Sequence, residues 1–191
     1  RKGGVITSFK SHCGGLIAPE SDDNPWHYKI SWNPRNIVMA GKAGAVYKKN
    51  NQIIKKKYQE IFSDNTLVQV SDREKYAWYP NRDSLSYMPL YQLEQTPTFI
   101  RTTLRHPDFM KGWKNVINFQ LTNEEKSYST DEMHLKSFFK THFHKIVTEN
   151  YSANLPITNS HYESEAMHQL KSNSSLNEQM LFLGIEDDKT Y

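Results

Sequence analysis

The chain has 191 residues, enough for one domain with a real core, or a domain with a small appendage. Its 37% hydrophobic and 13% aromatic content excludes a chain disordered throughout, and a net charge of +3 makes no case for nucleic acid. The single cysteine, Cys13, excludes an intrachain disulfide and fits a reducing, cytoplasmic setting, and no apolar run approaches the roughly 20 residues that span a bilayer.

The chain opens "RKGGVITSF", without a methionine or a signal-peptide pattern, and reads as a piece of a longer protein. Val5–Phe9 is β-branched and reads as a strand. A loop rich in glycine and proline follows, "SHCGGLIAPESDDNPWHYK", and "YKISW" reads as a short strand. "NPRNIVMAGKAGAVYKK" is expected to be helical, with Asn33 at the N-cap and Pro34 at the first helical position. Its small face, Ile37, Ala40, Gly41, Gly44 and Ala45, implies that something packs very close. Strands are expected at Gln52–Lys56, Leu67–Val70 and Tyr76–Tyr79. The basic run Lys48–Lys57 reads as a solvated surface. "SLSYMPLYQL" is a turn or short helix.

"TPTFIRTTLRH" reads as a strand whose alternation puts Phe99, Arg101, Thr103 and Arg105 on one face. Two arginines beside a phenylalanine are unusual for a plain core strand. "PDFMKGWKNVIN" reads as a helix. Beyond "LTNEEKSYST" the periodicity changes. Ser129 and Glu132 form a capping-box pattern, and Leu135, Phe138, Phe139, Phe143 and Ile146 fall at helical spacing. Further helices are expected near Ser160–Lys171 and Ser175–Leu183, the last closed by Gly184. The expected architecture is α+β: a mixed sheet flanked by helices over residues 1–124, then a helical subdomain over residues 125–191.

Neither the dinucleotide fingerprint G-x-G-x-x-G after a strand nor the phosphate loop G-x-x-x-x-G-K-[ST] is present. His134, His142 and His144 do not share the i, i+4 spacing that metal ligands on a helix need, and His161 and His168 lack an acidic partner at ligand spacing, so no metal site is expected. Cys13 with Gly14 and Gly15 can be a nucleophile in a backbone nest, or a tight loop whose glycines allow close backbone approach to a ligand. Asn81, Arg82, Asp83 and Ser84, with Arg101 and Arg105, leave two readings open. One is a surface turn held by an Asx motif plus strand-edge arginines; the other is recognition of a polyanionic ligand.

The stretch "SHCGGLIAPESDDNPWHYKISWNPR", then "YPNRDS", then "TLR" at Thr103–Arg105, resembles motifs of saccharopine dehydrogenases and reductases of the glutamate-forming type. The resemblance covers about residues 5–118, and beyond 125 it is confined chiefly to "LGI" at Leu183–Ile185. It implies the second, α+β substrate-binding domain of an enzyme whose Rossmann domain, not contained in this chain, binds NAD or NADP. This chain alone would then bind no cofactor. It also implies a homodimer and saccharopine as the substrate. Carried over by position, the substrate contacts are Arg82, with its neighbours Asn81 and Asp83, and Thr103, Leu104 and Arg105. The loop of Cys13, Gly14, Gly15 and Leu16 would lie near the cofactor. No catalytic acid or base is identified. Departures from the pattern are Ile17 for a proline, Asn33 for a serine, and Thr102 for the glycine before T-L-R. Saccharopine carries three carboxylates, which planar guanidinium forks match and lysine does not. Asp83 would orient Arg82 or meet an ammonium. The alternatives are a domain of a polyamine-forming reductase, or a stand-alone anion-binding or assembly module.

Overall fold

A computed structural model describes residues 3–31, 33–64, 66–72, 74–125, 128–129, 131–151 and 172–189. The chain forms two compact units, one of Arg1–Asp23 with His27–Lys114 and one of Asn24–Trp26 with Asn115–Tyr191.

The first unit is built on a mixed sheet. Its order is β3 (Gln52–Lys56), β2 (Ala45–Lys49), β7 (Thr98–Arg105), β5 (Glu74–Pro80), β4 (Leu67–Ser71). In addition, β1 (Ser8–Cys13) pairs in parallel with β7, and the two-residue β6 (Arg82–Asp83) pairs in parallel with β2. The long strand β7 holds the unit together: Phe99 and Ile100 are buried, and Phe99 stacks on Phe9 across the parallel pair at 4.7 Å between ring centroids. Most of the basic run is the β2–β3 hairpin. Asn50 and Asn51 both take positive φ, 49° and 64°, as a two-residue hairpin turn demands.

Four expectations need correction. The first strand begins at Ser8, not Val5; Val5 and Ile6 are exposed, because the partner residues of β7 begin opposite Ser8. Tyr28–Ser31 is not a strand. The expected long helix is only α1 (Pro34–Val38), capped as foreseen by Asn33, whose side chain accepts from the Arg35 amide at 3.0 Å. Gly41 and Gly44 then take φ of +80° and +71°, which ends the helix, and Ala45–Lys49 goes into the sheet. The close packing inferred at these glycines is present. A Cβ on Gly41 would meet Ile61 Cγ2 at 2.9 Å, and one on Gly44 would meet the Lys56 carbonyl oxygen at 2.5 Å. Finally, the Ser129–Glu132 capping box does not start a helix. Glu132 has φ of 56°, and α3 begins at Leu135.

The helix α2 (Pro107–Asn118) follows β7 directly. In the second unit, α3 (Leu135–Tyr151) and α4 (Ser174–Phe182) enclose a core of Phe139, Phe143, Leu176, Met180 and Ile185. Gly184 closes α4 with φ of +86°, and the Ile185 amide returns to the Met180 carbonyl at 3.2 Å. His142 is buried there. One ring nitrogen donates to the Phe119 carbonyl at 2.7 Å and the other accepts from the Tyr128 hydroxyl at 2.6 Å, so its part is structural. The expected helix at 160–171, with His161 and His168, lies outside the described residues.

On the sheet face of Thr102 and Trp78, His12 Nδ1 lies 2.6 Å from the Thr102 hydroxyl. Burial, then Lys10, pulls the His12 imidazole below its ordinary value. The unfolded chain therefore takes up this proton more readily. The linked stability is fully present above about pH 6.5 and is lost as pH falls through that value toward the folded one. Replacing His12 by asparagine should flatten the acid limb of the stability profile. Urea melts of both proteins across that window check it; parallel profiles would contradict it.

Candidate functional site

At the end of β5 the chain leaves the sheet through Pro80. The Asn81 amide bonds the Arg101 carbonyl at 2.9 Å, and Ser84 closes the detour. Ser84 is fully buried; its amide donates to the Val46 carbonyl at 2.8 Å, and its hydroxyl accepts from the Arg101 amide at 3.0 Å. The hydroxyl of "NRDS" thus fastens the turn between β2 and β7. Asp83 also serves the turn, since its Oδ1 accepts from the Leu85 amide at 2.8 Å. Among the described residues it makes no ion pair with Arg82. Held by these bonds, Arg82 adopts φ of 51°, a conformation that costs a non-glycine residue roughly 1 kcal/mol or more.

The turn forms one wall of a cleft of about 970 Å³ within the first unit. The loop from Met39 to Ala43 forms another, and β7 supplies Arg101, Thr103 and Arg105 along its alternating face. Asn81, Arg82 and Asp83 line it too. The register sets Arg82 beside the Arg101 end of β7, and Arg105 opposite Ala77. The two arginines therefore stand about four strand positions apart, roughly 13 Å.

The charge balance of the cleft is lopsided. Arg82, Arg101, Arg105 and Lys42 line it, against one carboxylate, Asp83. Arg105 is only 6% exposed. Its Nη1 donates to the Leu104 carbonyl at 2.8 Å, and its guanidinium lies 4.5 Å from the centre of the Tyr28 ring. Its Nε is buried without a hydrogen-bond partner, and among the described residues no carboxylate pairs with it. A buried, unpaired guanidinium is costly, and a ligand carboxylate is what would offset it. Arg101 stacks on Tyr87 at 3.6 Å, which leaves its plane fixed. Tyr79 is pushed up by burial, against the opposing pulls of Arg105 and a hydrogen bond with Thr103, so it stays a neutral phenol beside the guanidinium.

Not every expected residue joins the cleft. Leu104 alternates to the opposite face and pairs with Trp78. Its contribution is its carbonyl, which accepts from Arg105. Cys13, Gly14, Gly15 and Leu16 do not line the cleft either. The glycines have separate parts: a Cβ on Gly14 would meet the Leu104 carbonyl oxygen at 2.4 Å, whereas Gly15 faces open space. The close approach is to β7 itself. Gly14→Ala should cost about 1–3 kcal/mol of stability and Gly15→Ala less than about 0.5 kcal/mol. Denaturant melts of the two variants check this; equal losses would contradict it.

A second polar cluster escaped the sequence reading. His27, His106 and Asp108 gather where the loop before α1 meets the start of α2, with the two imidazole centroids 3.9 Å apart. Burial, then the His27 ring, pulls His106 below its ordinary value. The local signal was His106-x-Asp108; the partner His27 is far away in sequence.

The family described as the saccharopine dehydrogenase C-terminal domain matches residues 1–180. The chain belongs to this family. The domain is 34% identical over 125 residues to saccharopine dehydrogenase (NADP(+), L-glutamate-forming) of Saccharomyces cerevisiae, a match covering 65% of this chain and 28% of that protein. It is 34% identical over 124 residues to the mitochondrial alpha-aminoadipic semialdehyde synthase of Bos taurus, covering 64% of this chain and 13% of that one. The domain thus spans a minor part of each relative. In fold it matches the apo saccharopine dehydrogenase (L-Glu forming) of Saccharomyces cerevisiae, with a TM-score of 0.74, 22% identity, and coverage of 97% of this chain and 41% of that chain. The α+β sheet architecture is that of this family. Among the described residues no strand runs through a glycine-rich turn directly into an α-helix.

Proposed function

We propose that this chain is the substrate-binding domain of an NADP- or NAD-dependent, glutamate-forming saccharopine dehydrogenase of lysine metabolism. The observation that carries the reading is the buried Arg105, which has no carboxylate partner among the described residues, in a cleft it shares with Arg82 and Arg101. In that enzyme, oxidation of the lysyl ε-carbon of saccharopine and hydrolysis yield glutamate and aminoadipate semialdehyde. The hydride acceptor is the nicotinamide, held by another domain. The work of this domain is positional. Arg105 takes one carboxylate, while Arg82 and Arg101 take another roughly 13 Å along the strand. Tyr79 offers a neutral hydroxyl donor between them.

A cleft with four cationic side chains disfavours the polyamine-forming alternative, whose substrate would itself be a polycation. Isothermal titration of the chain with saccharopine, and separately with spermidine, separates the two. Saccharopine binding with no spermidine binding supports the reading; the reverse would sink it. The chain alone should neither bind NADP(H) nor oxidise saccharopine, and turnover by it would contradict the division of labour. We further propose that the domain contributes to a homodimer of a cytoplasmic enzyme. Support comes from β4, an edge strand on which Leu67 and Val70 are about half-exposed. Sedimentation of the whole enzyme as a monomer would contradict that part. No helix of the described residues is long and apolar enough to cross a membrane.

A further inference from the structure

The geometry points to a Zn²⁺ site with three protein ligands, His27 Nε2, His106 Nδ1 and an oxygen of Asp108, with Asp22 bracing His27 from behind. This does not depend on the saccharopine reading. Around a tetrahedral zinc ion with bonds of about 2.0–2.2 Å, ligand atoms stand about 3.3–3.5 Å apart. Here His106 Nδ1 and Asp108 Oδ2 are 3.5 Å apart, and His27 Nε2 and the same oxygen 3.8 Å. One ligand atom from each of the three residues lies within 4.8 Å of those of the other two, so shifts of up to about 1.5 Å close the site.

Two further observations favour a metal over a plain polar cluster. The far nitrogen of His27, Nδ1, bonds Asp22 Oδ2 at 2.6 Å, which fixes the ring and turns Nε2 toward the other two ligands. A carboxylate behind a histidine is the usual brace of a zinc ligand. In addition, His27 holds φ of 48°, a conformation that costs a non-glycine residue and persists only where its surroundings dictate it. Two of the bonds a metal would compete with are long: the Asp108 amide reaches His106 Nδ1 at 3.3 Å, and Lys111 Nζ lies 3.6 Å from Asp108 Oδ1, the oxygen not needed for the metal. Two imidazoles and one carboxylate suit zinc, with the fourth position left to water.

The site would have a mechanical role. His27 is joined to Tyr28 and His106 to Arg105, the two members of a stacked pair whose arginine lines the cleft. A metal bound between the histidines would clamp that pair.

Isothermal titration of the metal-free 191-residue chain with ZnCl₂ at neutral pH tests this. One equivalent should bind with a micromolar or lower Kd. His27→Asn and His106→Asn should each weaken it at least tenfold, Asp22→Asn about tenfold, and the remote His12→Asn not at all. Circular dichroism establishes that each variant is folded, and Asp22→Asn, which leaves all three ligands in place, stands in for a ligand variant that is not. Absence of one-equivalent binding to the wild type would overturn the site. So would affinity within twofold of wild type in the folded His27, His106 or Asp22 variants.

Discussion

Arg105→Lys should weaken saccharopine binding by about 1.5–3 kcal/mol, roughly 10- to 150-fold, while leaving the cofactor KM of the whole enzyme unchanged. The effect should exceed that of the same change at Arg82. Arg82 is exposed, so water competes for its bonds, whereas Arg105 is buried and binds in a low-dielectric setting. Lysine keeps the charge but loses the fork, and an ammonium cannot spread over the Tyr28 ring as a flat guanidinium does. A companion change distinguishes a binding role from a structural one. Arg105→Met removes a buried charge that no carboxylate among the described residues balances, so the domain should be as stable as wild type or more so while binding is lost. Thermal melts and titrations on one set of proteins check both; a destabilised Arg105→Met protein with intact binding would contradict the account.

Gly44→Ala, at the entry to β2, should be a highly damaging conservative change, costing about 3 kcal/mol or more. Two costs add. A φ of +71° strains any L-residue, and the new Cβ would fall 2.5 Å from a backbone oxygen, that of Lys56, which cannot swing aside as a flexible side chain could. The residue stands where the cleft-lining loop turns into β2, so the loss should reach the cleft as well as the fold. For a chain of this size the melting temperature should drop by about 6–12 °C. Calorimetry checks it, and a drop under about 2 °C would contradict the geometry.

Where sequence pattern was decided by local physics, it was legible. Gln52–Lys56 and Pro107–Asn118 take the element types expected of them, as does Thr98–Arg105, and Asn33 caps its helix. The error at residues 39–49 has a clear origin. Ile37, Ala40, Gly41, Gly44 and Ala45 happen to fall at helical spacing, but the glycines are there for positive φ and for tight contacts with Ile61 and Lys56. Periodicity cannot separate these uses. The polar turn at residues 81–84 was legible as unusual, but its division of labour was not. That Ser84 and Asp83 bind backbone depends on β2, β7 and the turn meeting in space. Leu104 is a different case: strand alternation already assigns it to the face opposite Thr103 and Arg105, and the motif resemblance obscured that. The His27–His106 pair is brought together only by the tertiary fold.

The most direct measurement is ¹⁵N NMR of the arginine Nε–H groups during titration of the chain with saccharopine. The Nε–H of Arg105, without a partner among the described residues, should shift in a saturable way, accompanied by those of Arg82 and Arg101, and should not respond to lysine at equal concentration. An Arg105 signal that stays in place at saturating saccharopine would contradict the claim that this cleft reads the substrate's carboxylates.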